Sequence, residues 1–116
     1  MATVTQATSL PTDSAVRKTY PLFSGLVAYF PAALARVAHH SYVGNEKHNP
    51  GKPLQHARNK SGDHADCIVR HLIDAHELHG ELRLDELAAL SWRALALLQE
   101  EAEKLGAPKA LAATFD

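Results

Sequence analysis

The sequence predicts an all-α fold: an antiparallel bundle of three main helices plus an N-terminal helical piece, completed by oligomerisation. Three observations lead there. Apolar residues recur at spacings of three and four in separate segments, the period of a helix face. Proline or a capping residue precedes these segments and glycine follows them. No segment alternates apolar and polar residues as a half-buried strand does. The 116 residues suffice for one small domain. They divide into a flexible arm at 1–19, a helical domain at 20–106 and a tail at 107–116.

The elements follow in order. Residues 1–19 are rich in Thr, Ser and Ala and carry no apolar period, as expected of a loose arm. Tyr20-Pro21-Leu22-Phe23 enters an apolar segment with room for a short turn at 22–29. Pro31 suits a helical first turn, where its missing N–H costs nothing. Leu34, Val37 and Ala38 follow at helical spacing and Gly44 is the stop, so helix 1 spans 31–43. A connection at 44–62 is longer than the ~12–15 residues a compact domain leaves structureless without a use. It sets Lys47, Lys52, Arg58 and Lys60 against one acid, Glu46.

Helix 2 starts near Ser61, a good N-cap residue, and ends at Gly80. Its core face reads Ala65, Ile68, Val69, Leu72 and Ile73. The opposite face reads Asp63, Asp66, Arg70, Asp74, Glu77 and Glu81. Helix 3 begins with Asp85 as N-cap and runs to Lys104, with Gly106 and Pro108 beyond. Leu87, Leu90, Ala94, Leu97 and Leu98 form its stripe, and Ala88, Ala89, Trp92, Leu95 and Ala96 make it apolar on nearly all sides. A helix apolar all round wants burial all round. The expectation is a homodimer or homotetramer joined through helix 85–104.

Composition excludes several classes. Twelve Lys and Arg against thirteen Asp and Glu give a net charge of −1. A nucleic-acid-binding domain is usually clearly basic, so nucleic acid is not an expected partner. A single cysteine, Cys67, excludes a disulfide framework and a thiolate zinc cage. No apolar run approaches the ~20 residues of a membrane span, and residues 1–6 lack the features of a secretory signal. The expected compartment is the cytoplasm. The departure from average is histidine: all eight lie between His39 and His79.

Asp63 and Asp66, three apart, put two carboxylates on adjacent turns of one face. Such a pair suits Mg²⁺ or Mn²⁺, hard cations that complete their shell with water and phosphate. It equally suits a solvated surface and an acidic first turn opposite a helix dipole. The N–H groups after Ser61 attract an anion, and Asp63 and Asp66 repel one unless a divalent ion lies between. The basic loop and the acids therefore make joint sense around a metal-bound polyphosphate. Glu46, beside Lys47, His48 and Asn49, adds a carboxylate to that loop. His64, Cys67 and His71 share one side of helix 2, spaced for a soft metal but without an obvious fourth ligand. Histidines flanking a core face are more often satisfied by hydrogen bonds.

These residues carry a resemblance. Pro31–Leu34, Gly44-Asn45-Glu46-Lys47-His48-Asn49-Pro50-Gly51, Lys60-Ser61-x-Asp63-His64-x-Asp66, Arg70-His71-Leu72 and Trp92-Arg93-Ala94-Leu95 resemble a small phage-encoded family. That family is similar to the N-terminal domain described as dATP/dGTP diphosphohydrolase, related to MazG-like all-α nucleotide pyrophosphohydrolases. The resemblance covers residues 20–101. It implies a dimeric or tetrameric helical enzyme that holds Mg²⁺ or Mn²⁺ on carboxylates. Water then attacks the α-phosphate of a purine nucleoside triphosphate and releases monophosphate and pyrophosphate.

Carried onto this chain, the resemblance makes Glu46, Asp63, Asp66 and Asp85 metal ligands. Lys47, Lys60 and Arg70 meet phosphates, with Ser61 at the helix start. His48 and Asn49 touch base or sugar, and His71 orients a ligand or a water. The MazG pattern has two glutamates three apart, then a glutamate and an aspartate three apart. Here Asp63 and Asp66 stand for one pair, while Glu81, Asp85 and Glu86 lie near the other at a different spacing. The alternative is a non-enzymatic oligomeric phage protein that binds a nucleotide or a host partner.

Overall fold

The computed structural model describes residues 9–115. The chain is mostly helical: α1 (Ser14–Arg17), a π-helical turn (Phe23–Val27), α2 (Pro31–His48), α3 (His64–Glu77) and α4 (Gly80–Lys104). Two short strands, β1 (His56–Ala57) and β2 (Ala113–Thr114), pair in parallel. The all-α class therefore holds. Within the expected arm, α1 is one turn capped by the Asp13 side chain on the Val16 N–H; residues 1–8 of that arm lie outside the described residues. The expected tail carries β2. Among the described residues no helix is long and apolar enough to cross a membrane.

Pro31 opens α2 as expected, but Gly44 does not stop it. Glycine inside a helix costs about 1 kcal/mol relative to alanine, and tertiary contacts offset this. Asn45 is buried and its Nδ2 donates to the Lys52 carbonyl at 2.8 Å, tying the following loop to the last turn. Asn49 closes the helix, its N–H reaching the Asn45 carbonyl. Glu46, Lys47 and His48 are thus helical rather than in a loop.

Ser61 does not cap α3. Its hydroxyl accepts from Arg93 and donates to Asp63, so it is engaged away from the helix, which starts at His64. Nor is Asp85 an N-cap. α4 begins at Gly80, whose φ of +61° suits glycine, and Asp85 sits in its second turn.

α3 and α4 form an antiparallel pair. His64 meets Glu100, His71 meets Glu86, and Arg83 donates to the Ala75 carbonyl at 2.6 Å. The last contact satisfies one of the orphan carbonyls at the α3 C-terminus. α2 lies along α4 through Arg36–Glu81 and His40–Trp92.

The face that α3 turns to α4 is not the expected one. The buried residues are His64, Cys67 and Ala75, with His71 half-buried between them. Val69, Leu72 and Ile73, read as core, are each 54% exposed. The apolar side chains buried in the chain are small: Cys67, Ala75, Ala88, Ala89 and Ala96.

One further junction positions the C-terminal end of α4. The buried Arg58 guanidinium grips the Glu103 carboxylate at 2.6 and 2.9 Å. Glu103 also accepts from Gln99 and from the Ala110 N–H, and Arg58 Nε donates to His56 Nδ1. The Arg58 hydrogen bonds are the main reason the Glu103 carboxyl is pulled down to about 2. A carboxyl with a depressed folded pKa stabilises above its unfolded value of about 4.3. That contribution disappears as pH falls from there towards 2. Urea midpoints measured from pH 7 down to pH 2.5 should show this acid loss. Glu103→Gln should start less stable and lose less over the same interval.

Candidate functional site

The site is built where α3 begins. Asp63 is its N-cap by backbone position, but the side chain makes no capping hydrogen bond and is free for other work. One carboxylate oxygen accepts from the Ser61 hydroxyl at 2.6 Å, and the other lies 3.5 Å from the Cys67 thiol. Arg70 and Arg93 stand 3.6 and 4.0 Å away. Held first by Ser61, then by Cys67, with Arg93 adding attraction, the Asp63 carboxyl is lowered to about 2. It is an exposed carboxylate, ionised throughout the physiological range, between two guanidinium groups.

Behind it runs a polar seam between α3 and α4. Arg93 Nη1 donates to Ser61 and approaches His64 Nδ1 at 3.2 Å. An arginine can donate only to an unprotonated ring nitrogen, so His64 carries its hydrogen on Nε2, which meets Glu100 at 2.7 Å. One turn along, Arg70 Nη2 lies 3.0 Å from the Cys67 sulfur. Farther down the seam, His71 Nδ1 pairs with Glu86 at 2.6 Å. A neutral His71 paired in this way would donate from Nδ1 and present Nε2 as an acceptor.

Trp92, on α4, stands edge-on to His56 of β1 at 4.9 Å and lies 6.2 Å from His40 of α2. Burial is the main cause that holds both histidines below their ordinary range. His71 and Arg93 add to it at His40, and Arg58 adds to it at His56.

Of the residues predicted from sequence, the structure gathers Ser61, Asp63 and Arg70, and places His71 on the same seam. Lys60 is exposed just ahead of Ser61, and Asp66 is exposed in the first turn. Glu46, Lys47 and His48 are exposed on the last turn of α2, and Asn49 is half-buried against Asn45. Asp85 lies elsewhere, in a cleft of about 300 Å³ between α2 and α4 lined also by Arg36, His39, His40, Val43 and Ala88. Eight residues, about 12 Å of helix axis, separate Asp85 from Arg93, the α4 residue beside Asp63. Among the described residues no group of three His, Cys, Asp or Glu could hold a metal ion. Glu46, Asp63, Asp66 and Asp85 are therefore not brought together as one ligand set within a single chain.

The sequence reading named Glu86 and Arg93 without their partners on α3 and missed Glu100; together these form the α4 half of the seam. Their signal was available: they recur every seven residues, as His64 and His71 do on α3. Two polar stripes of equal period on consecutive helices are spaced to face each other. No family model, curated protein or solved structure matches this chain.

Proposed function

We propose that this chain is the subunit of a metal-dependent nucleotide pyrophosphohydrolase, acting on purine nucleoside triphosphates and using Mg²⁺ or Mn²⁺. The observation that carries the reading is Asp63, an exposed carboxylate kept ionised at a helix N-terminus between Arg70 and Arg93. A carboxylate alone repels a polyphosphate, and guanidinium groups alone need no metal. The two together fit a phosphate chain that arrives with its divalent ion.

In this reading Asp63 would hold the ion at the helix start; Asp66 is exposed in the same first turn, and Glu46, on the last turn of α2, is not gathered with them. Arg70, Lys60 and Lys47 meet phosphate oxygens, while His48 and Asn49 lie towards base or sugar. The ion, when bound, activates water and neutralises phosphate charge. His71, held by Glu86, would orient a ligand, since it lies eight residues, about 12 Å of helix axis, from Asp63. Asp85, set apart in the α2–α4 cleft, is the weakest member of the ligand set. The working form is a cytoplasmic homodimer or homotetramer whose helices complete an antiparallel bundle, and the resemblance in sequence points the same way.

The test is incubation of the pure protein with each of the eight common nucleoside triphosphates, with Mn²⁺ or Mg²⁺ and with chelator, and separation of the products. Metal-dependent release of monophosphate and pyrophosphate, fastest with purines, is the expected result. Absence of turnover with every nucleotide would overturn it. That outcome would favour a nucleotide-binding or host-binding oligomer.

A further inference from the structure

We infer that the outer face of α3 is the interface between two copies of this chain, packed antiparallel, and that the partner copy reaches the Asp63–Asp66 end of the helix. The inference does not depend on turnover, but it sets Asp66 against a second copy and so leaves the ion of the hydrolase reading to Asp63. It starts from the inverted orientation of α3. Its polar side, His64, Cys67 and His71, is turned onto α4, while Val69, Leu72 and Ile73 are each 54% exposed. The seam hydrogen bonds hold the polar side inward, and within the chain nothing covers the aliphatic side. An aqueous end-state would leave three branched aliphatic side chains in water and bury alanines instead.

The surface area agrees. The chain exposes 8850 Å², about 2,600 Å² more than a compact monomer of its mass. One partner in a standard interface covers about 800 Å². That excess is spread over several surfaces, among them Phe23, Tyr29 and Phe30 in the segment 20–30 and Leu82 and Leu98 on α4; the α3 face is singled out by its pattern.

The occupant is fixed by the pattern on that face. The centre of the outer surface, opposite the seam, reads Asp66, Val69, Ile73, His76, at steps of three, four and three. These steps are the seam spacing of a coiled coil. The pattern is also symmetric about its midpoint: an acid at one end, an imidazole at the other, two β-branched residues between. Laid antiparallel on a second copy, Val69 meets Ile73, and Asp66 meets His76 of the other copy. A carboxylate facing an imidazole hydrogen-bonds with it through a ring N–H. A parallel pair would set Asp66 on Asp66 and His76 on His76. The face is therefore self-complementary in one direction only, as an isologous two-fold contact requires. It leaves α4, with Leu95 and Leu98 exposed, as a secondary surface rather than the primary contact.

Light scattering and sedimentation of the full chain test the inference. Wild type should be a dimer, or a tetramer built from such dimers. Val69→Glu and Ile73→Glu should each halve the mass while far-UV circular dichroism keeps the helical signal, because neither side chain is buried within the chain. Leu98→Glu, on the outer side of α4, should leave the mass unchanged.

The register is read by cross-linking. Val69→Cys mixed with Ile73→Cys should form disulfide-linked dimers under mild oxidation, and Val69→Cys alone should form far fewer. Asp66→Lys should weaken the dimer, and adding His76→Asp should restore it. A monomeric wild type would overturn the inference. So would a dimer lost in Leu98→Glu but kept in Val69→Glu, or cross-linking strongest in Val69→Cys alone. A dimer without nucleotide turnover would overturn only the hydrolase reading.

Discussion

Arg58→Ala is expected to lower the unfolding free energy by about 3–5 kcal/mol, the cost of leaving one partner of a buried ion pair uncompensated. Arg58 and Glu103 side chains are 4% and 5% exposed, so water cannot replace the lost guanidinium. Glu103 would keep Gln99 and the Ala110 N–H, two neutral donors for a buried charge. The damage would spread beyond the pair. Arg58 follows β1 directly, its backbone N–H bonds the Thr114 carbonyl, and its guanidinium lies 5.6 Å from the centre of the Phe115 ring.

A small domain has about 5–15 kcal/mol in total, so this one substitution approaches global unfolding. Thermal and urea melts would measure the effect. Replacing both partners together, Arg58→Met with Glu103→Leu, should cost much less, since a buried pair often does no better than apolar residues of similar size. A loss below about 1 kcal/mol for Arg58→Ala would mean that the junction is open to water in solution.

The helical class was legible because three long segments carry a helical period and strands are confined to two residues each. Boundaries were less legible. Gly44 is a sound stop by local rules, yet the buried Asn45 and its bond to Lys52 carry α2 through it. Asp85 and Ser61 are sound N-caps by type, but the side chain of Ser61 is committed to Arg93 and Asp63, and Gly80 starts α4 earlier.

The largest departure is the α3 face. Pattern reading assigns the apolar side of a helix to the core of its own chain, but here His64 and His71 are paired with Glu100 and Glu86 of α4 and turn the polar side inward. Histidine seven residues from histidine on α3, and charge seven from charge on α4, were the counter-signal. The candidate site was legible in part for the same reason. Asp63, Ser61 and Arg70 are local to one helix start and announce themselves by spacing. Arg93 and Glu100 reach it only through the α3–α4 packing.

Asp63→Asn is expected to reduce metal-dependent nucleotide turnover by about 100-fold or more, the scale on which loss of one key electrostatic group slows catalysis, while leaving the fold intact. The two halves of that expectation come from different features of the same residue. Its carboxylate is exposed and makes no capping hydrogen bond, and asparagine is as good an N-cap residue as aspartate, so α3 loses little. Asparagine also keeps an oxygen for the Ser61 hydroxyl.

What asparagine cannot supply is charge. Asp63 carries a full negative charge at neutral pH, as its hydrogen bonds from Ser61 and Cys67 favour the ionised form. The neutral amide would leave Arg70 and Arg93 uncompensated, and phosphate could then bind to them without its metal. Turnover should therefore fall, while affinity for pyrophosphate measured in chelator should hold or rise. This combination separates a metal ligand from a residue that merely shapes the helix start, whose loss would weaken both. Full turnover in Asp63→Asn, with the helical signal unchanged, would remove Asp63 from the chemistry and leave it as the partner of two arginines.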